Sequence, residues 1–207
     1  ESSSVVAWES SRVVARGSSR VVAWGSSRVV AWESSSVVAK GAAHVVARNA
    51  CKVIATALCT IAILSARASV EGGVQVVVPD TTTGERWCDF HGVGIVDGVA
   101  TLYKGVDSAW RGPHGADIVY TPGSTPSAPD WDGGKRECGG GLHFWPHPSL
   151  ARGNAHIVAC PVRVDEIAAH GFEAQFPDKV KAPRVCGPVW EVDADGNRIE
   201  RAEAAAS

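Results

Sequence analysis

The sequence predicts a mainly β protein: an N-terminal two-sheet parallel β-solenoid with about 16 residues per coil, followed by a small α+β domain. Three observations predict it. Residues 1–56 divide into blocks of eight, ESSSVVAW, ESSRVVAR, GSSRVVAW, GSSRVVAW, ESSSVVAK, GAAHVVAR and NACKVIAT. Inside each block, small or apolar residues alternate with bulkier or charged ones. From residue 86 the repetition is gone, and short Val-, Ile- and Phe-containing runs are punctuated by Gly and Pro.

A fixed period of this kind marks a stacked array. Ser, Val and Ala take positions three, five and seven of a block, whereas Arg or Ser, Val, and Trp or Arg take positions four, six and eight. That is period two, the signature of a strand. A buried, unpaired guanidinium is very costly, so the Ser-Val-Ala set points inward, with Val5, Val13, Val21 and Val29 inside. Glu or Gly at position one, followed by Ser, supplies the corner. A single strand and turn cannot bury its own face, so two blocks make one coil, and residues 1–64 make about four. A coiled coil is excluded, because Val-Val-Ala at period eight fits no helical stripe.

Odd blocks then build one sheet and even blocks the other. Arg12, Arg16, Arg28, His44 and Arg48 share one outer face; Trp8, Arg20, Trp24, Lys40 and Lys52 share the opposite one. Such a surface can bind an anionic polymer, a membrane surface or another solenoid. The plainer reading is a solvated face whose long side chains keep strands from aggregating. The pattern decays in ALCTIAIL (57–64) and is lost by Arg67, which reads as the last coil widening into a cap. Cys51 and Cys59 both take the inward position three, as small buried thiols.

The strand VQVVV (74–78) ends the solenoid segment 1–78, residues 79–85 form a linker, residues 86–200 form the second domain and residues 201–207 a disordered tail. In the second domain, VGIVDGVATLYKGV (93–106) is a hairpin turning at Asp97-Gly98, and residues 120–134 are a Pro/Gly/Ser loop. GLHFW, HIVACPV, VKAPRVCG and VWEVD supply further strands of a mostly antiparallel sheet, with a short helix after Pro148.

Charge is partitioned. Residues 1–64 hold 7 Lys/Arg against 3 Glu, and the remaining residues 13 Lys/Arg against 19 Asp/Glu, so the solenoid is basic and the rest acidic. The six cysteines are irregularly spaced, which argues for reduced thiols and a cytoplasmic setting rather than a disulfide scaffold. The most apolar stretch, Val53–Leu64, is too short for a transmembrane helix. The chain contains no Met and opens at the start of a repeat, so it reads as a piece of something longer.

The segments LYKGVD (102–107), YTPG (120–123), APDWD (128–132), ECGGGLHFWPHP (137–148), VACPV (158–162), FPDKVKAPRV (176–185) and VWEVDADGN (189–197) resemble an uncharacterised domain family of actinobacteriophages and actinomycetes. There the domain also follows octapeptide solenoids. The resemblance covers residues 86–199, implies a phage or high-GC bacterial origin, and brings no activity with it. More distantly, the order of elements is similar to that of ADP-ribosyltransferases of the poly-ADP-ribosylating type. That similarity would put Lys104 at the nicotinamide-ribose position and His143 at the stacking position, with Glu191 near the late glutamate.

The residues able to carry chemistry cluster between 138 and 148. Cys138, His143 and His147 are spaced C-x4-H-x3-H, with Cys160, Cys88 or His91 as a fourth ligand; this is no standard zinc spacing, and no metal is expected. Cys138 with His143 lacks the third group that a thiolate nucleophile needs. Lys104, His143 and Cys138 stand as catalytic candidates, and Tyr103, His143, Trp145, Arg12, Arg16, Arg28 and Arg48 as binding candidates. Alternation places His143 and Trp145 on one face of their strand, Leu142 and Phe144 on the other. No cofactor is expected, NAD entering only with the transferase alternative.

The leading functional reading is non-enzymatic: a rigid solenoid that presents or oligomerises a small binding domain whose protein or small-molecule ligand the sequence does not name. The alternatives are an ADP-ribosyltransferase-like, NAD-binding domain on a solenoid, and a solenoid that binds polyanions or surfaces.

Overall fold

The computed structural model describes residues 3–78, 81–113, 118–134, 136–137, 139–151, 155–170 and 175–200. Cys138 and the tail 201–207 lie outside them. The chain divides into two compact units, Glu1–Asp80 with Asp89–Gly92, and Thr81–Cys88 with Val93–Ser207.

In the first unit ten short strands alternate between two parallel sheets: β1 (Ser4–Ala7), β2 (Arg12–Ala15), β3 (Arg20–Ala23), β4 (Arg28–Ala31), β5 (Ser36–Ala39), β6 (His44–Ala47), β7 (Lys52–Ala55), β8 (Thr60–Ile63), β9 (Ser69–Glu71) and β10 (Val74–Val77). The odd sheet runs β1-β3-β5-β7-β9 and the even sheet β10-β8-β6-β4-β2. Val21 pairs with Val37, and Val29 with Val45, so one coil consumes two octapeptides. This is the parallel β-solenoid that the period-two pattern predicts.

The inward rows are Val21, Val37 and Val53 in the odd sheet and Val29, Val45 and Ile61 in the even one, all buried, with Ala23, Ala31, Ala39 and Ala47 buried beside them. Serine is tolerated inside because it is satisfied by its own corner: the hydroxyls of Ser19 and Ser27 donate to the carbonyls of Arg16 and Trp24, each at 2.5 Å. Cys51 and Cys59 are buried and unbridged, as are Cys88 and Cys160; Cys186 is exposed and free.

Two expectations are corrected. Stacking does not stop near Arg67: β9 and β10 add a fifth coil, because Val70 still sits on Val53 and the pair Gly72-Gly73 makes the corner that the lost repeat no longer encodes. Val5 and Val13 are less enclosed than their equivalents, Val5 being 38% exposed, since the first coil has a neighbour on one side alone.

The corners explain position one. Glu9, Gly17, Gly25, Glu33, Gly41 and Asn49 all have left-handed φ, between 51° and 72°. At Gly41 a Cβ would lie 3.1 Å from the backbone nitrogen of Gly25, so glycine suits both the angle and the contact. Along one corner the next coil's side chain takes each backbone N–H. Gly17 donates to Glu33 Oε2 (2.6 Å), Glu33 to Asn49 Oδ1 (3.3 Å) and Asn49 to Asp89 Oδ2 (3.0 Å). Asp89 also accepts from the Ser65 hydroxyl (2.8 Å) and the Arg67 guanidinium (2.6 Å), which closes the ladder.

The segment read as a linker over 79–85 ends in a helix, α1 (Gly84–Phe90). Thr83 caps it, its hydroxyl accepting the Arg86 N–H at 3.2 Å. The second unit continues with β11 (Ile95–Val96), β12 (Val99–Val106), β13 (Leu142–Phe144), β14 (His156–Arg163), β15 (Ala168–Ala169), β16 (Val180–Ala182) and β17 (Trp190–Val192). They form two antiparallel sheets, β11-β12-β14-β17 and β13-β16-β15. Asp97 and Gly98 have φ of 50° and 74°, the double positive-φ turn expected of Asp-Gly. The helix expected after Pro148 is one 3₁₀ turn, Pro148–Leu150. Trp87, Leu102, Tyr120, Phe144 and Val158 centre the core. No helix among the described residues is long and apolar enough to cross a membrane.

Candidate functional site

Lys104 lies where alternation along β12 puts an apolar side chain. Register pairs Leu102 with Cys160, Lys104 with Val158 and Val106 with His156, so the lysine shares the buried face of the sheet. Its ammonium donates to the His143 carbonyl at 3.1 Å and stands 5.1 Å from the centroid of the Tyr120 ring. Room for it exists because residue 112 is glycine, whose Cβ would come 2.7 Å from Lys104 Cε. Burial pushes the amine down to about 8, with Lys179 adding to the effect and Cys160 opposing it. Burial likewise drives the Cys160 thiol up to about 12, so that sulfur is an inert, protonated core atom rather than a nucleophile.

His143 sits on β13 directly opposite Lys181 of β16. Leu142 and Phe144 face the core, and His143 is half-buried on the other face, with Nε2 3.2 Å from the Glu137 carbonyl oxygen. Burial pushes its pKa down to about 4, against the Glu137 contact and helped by Lys104, Lys179 and Lys181, so the imidazole is neutral near pH 7. Lys181 is fully buried on this second face because a loop covers it: its ammonium lies 2.9 Å from Asp132 Oδ1, beside the Trp131 ring. The three glycines 139–141 serve that loop. A Cβ on Gly139 would lie 2.0 Å from Asp132 Oδ2, one on Gly140 1.5 Å from the Asp130 carbonyl and one on Gly141 2.8 Å from Trp131. The close approach they permit is therefore to another stretch of the same chain.

Tyr103 and Trp145 join the two sheets through reciprocal backbone hydrogen bonds of 2.9 and 2.7 Å. Trp145 packs edge-on to Phe176, with Lys179 over both rings. Glu191 is buried, its carboxylate 2.8 Å from His156 Nδ1, and the Trp110 ring stacks on that imidazole at 4.2 Å. Sequence reasoning missed His170, which is buried near Lys181 and Glu137 with no hydrogen-bond partner for either ring nitrogen among the described residues; the run AAHGF around it carries no motif. An open groove of about 680 Å³ is lined by Pro122, Pro161, Pro188, Trp190, Glu191 and Arg198 among others; of the groups that the transferase alternative names, Glu191 lines it and Lys104 and His143 do not.

Of the zinc-spaced residues, His147 is exposed and His143 half-buried, while Cys138 lies outside the described residues. Among the described residues no three His, Cys, Asp or Glu side chains converge as a metal site would require.

On the solenoid, Arg12, Arg28 and His44 are in register on adjacent rungs of the even sheet. Arg16 and Arg48 flank a residue that the sequence reading left off this face, Trp32, with guanidinium carbons 5.6 and 4.9 Å from its ring centroid. Reading the eighth column of even blocks alone would have revealed it. The odd sheet spaces its cations with serine, Ser4-Arg20-Ser36-Lys52, and stacks Trp8 on Trp24 at 5.5 Å with Lys40 over Trp24.

No family model, no curated protein and no solved structure matches the chain.

Proposed function

We propose that this chain is a non-enzymatic modular protein whose solenoid is a rigid element that presents, and through a sheet edge oligomerises, the small C-terminal domain. The solenoid is a repeat scaffold, and one observation carries the oligomerising part. Strand β10 is the free edge of the even sheet, and Val74, Val76 and Val77 on it are 56, 46 and 65% exposed. An apolar edge strand carrying none of the usual protective charges is a pairing surface. The resembled phage and actinomycete domain family belongs to this reading as the source of the presented domain.

What supports the non-enzymatic reading over the transferase alternative is the use already made of its key groups. The Lys104 amine is committed to the His143 carbonyl and the Glu191 carboxylate to His156. An NAD-binding role would need both groups turned toward a ligand. Sedimentation of the full chain and of a Val76→Lys/Val77→Lys variant tests the proposal. Association in the parent that the lysines abolish supports it, and a monomeric parent would remove oligomerisation and leave presentation. Saturable NAD binding lost in Lys104→Ala would favour the enzyme.

A further inference from the structure

The even face of the solenoid differs from the odd face in kind. Outward positions on β2, β4, β6, β8 and β10 hold Arg12, Arg16, Arg28, His44 and Arg48 and not one Asp or Glu. The odd face has three cations, separated by serines, and Glu71 on β9. Like charges on neighbouring rungs, about 4.8 Å apart, repel one another and weaken the stack they sit on. Arg12 and Arg28 are such a pair, in register. The repulsion is relieved when a polyanion lies across them.

The two basic rows run along the solenoid and are separated by four residues of strand, about 13 Å. One row is Arg12-Arg28-His44 and the other Arg16-Trp32-Arg48, with Val14, Val30 and Val46 between them. Trp32 holds its two guanidinium groups against opposite sides of its ring, which limits their rotamers before any ligand arrives. The same stacking leaves neither side of that ring for an unpaired base, and single-stranded ligands gain much of their affinity from such stacking. What remains for phosphates is the Arg12-Arg28 pair and, about 13 Å away along the strand direction, Arg16. In a duplex the backbones flanking a minor groove of about 6 Å stand roughly 12 Å apart, phosphorus to phosphorus.

From this we infer that the even face of the solenoid binds double-stranded nucleic acid through its phosphates, with no reading of base sequence. Arg12 and Arg28 contact one backbone, and Arg16 the other. The inference is independent of β10 pairing and of the C-terminal domain.

The test measures binding of the full chain to a fluorescent 20-base-pair DNA duplex between 50 and 200 mM salt. With three phosphates neutralised, affinity falls about fortyfold across that range, the logarithmic slope being near −0.9 per contact. Arg12→Gln/Arg28→Gln removes about two units of slope, while Arg20→Gln/Lys52→Gln on the odd face leaves it unchanged. All these side chains are exposed, so neither variant melts below the parent, and loss of the Arg12–Arg28 repulsion raises the first slightly; melting is checked in parallel. Trp32→Ala keeps the slope and lowers affinity severalfold by releasing the Arg16 guanidinium. The inference is overturned by absence of binding at 50 mM salt, by equal losses in the two double variants, by tighter binding of a single strand of the same length, or by binding to heparin or anionic vesicles without binding to the duplex.

Discussion

Replacing Asp89 by Ala tests how the solenoid is closed. The carboxylate is buried and accepts from the Asn49 N–H at 3.0 Å, the Ser65 hydroxyl at 2.8 Å and the Arg67 guanidinium at 2.6 Å. Alanine strands the Asn49 corner N–H, at a cost of about 1–3 kcal/mol, whereas the Ser65 hydroxyl keeps the Asp89 backbone carbonyl as an acceptor at 3.2 Å. The Arg67 contact contributes less, because its side chain is 38% exposed and solvent screens it to about 0.5 kcal/mol. The better helix propensity of Ala within α1 returns at most about 0.7 kcal/mol. The expected net loss is about 2 kcal/mol, which lowers the melting of the solenoid transition by roughly 10 °C. Amide exchange should locate it: Asn49 loses protection first, then Glu33, whose own N–H depends on Asn49. Asp89→Asn, which keeps an acceptor oxygen but turns an NH2 group toward a donor, should lose about half as much. A loss under about 0.5 kcal/mol in Asp89→Ala, or unchanged exchange at Asn49, would refute the idea that this carboxylate terminates the corner ladder.

Other outcomes follow from burial and charge. Val37→Ala removes two methyl groups from a fully buried rung between Val21 and Val53 and should cost about 2 kcal/mol in urea unfolding, whereas Val5→Ala at the open coil should cost under about 0.5 kcal/mol. Lys104 titrates near 8 when folded against 10.5 as its reference, so between those values the unfolded chain holds the extra proton and stability rises with pH. Relative to Lys104→Met, the parent should therefore gain up to about 3 kcal/mol from pH 8 to 10.5, and a flat difference would show that the amine is not desolvated. His143, near 4 when folded against 6.5, also binds more protons unfolded, so its contribution is intact above pH 6.5 and is lost as pH falls toward 4. Thermal melting of His143→Gln should show a shallower acid limb.

The solenoid was legible because its information is redundant. Period eight gives the coil, period two gives the inward face, and each of Val21, Val29, Val37 and Val45 repeats the same statement. The Asp97-Gly98 hairpin was legible for a different reason, since two positive φ angles admit few residue types. What escaped has no local signal. Strands β9 and β10 read as something other than a coil because SVEGGVQVVV keeps the geometry and discards the octapeptide. The first turn of α1, TTTGERW, has no apolar period to announce it and depends on the Thr83 cap. The second face of β13 and β16 was invisible for a stronger reason: Lys181 in a strand reads as solvent-facing, and it is buried because Asp132 and Trp131, some 50 residues earlier, fold over it. The number of glycines between 139 and 141 recorded that approach without saying what approached.

A repeat can specify its own continuation but not its end, and the two ends of this argument meet at Asp89. Along this one corner each coil hands the next an unsatisfied N–H, that of Gly17 being answered by Glu33 and that of Glu33 by Asn49 from the same column. A further repeat would postpone the problem by one coil, so the last donor needs an acceptor from outside the array. The column's next residue in the sequence, Ala57 or Ser65 according to the corner, carries no carboxylate, and the acceptor comes from a helix that follows the last strand. The same logic separates the two outer faces: inward rows must repeat because they share one core, whereas outward rows are free to differ. That freedom is used unequally, serine diluting the cations of the odd sheet while arginine runs on adjacent rungs of the even one. Stability alone favours dilution. The pair of arginines on adjacent rungs of one face, in an otherwise interchangeable pair of faces, is the feature of the solenoid that folding does not require.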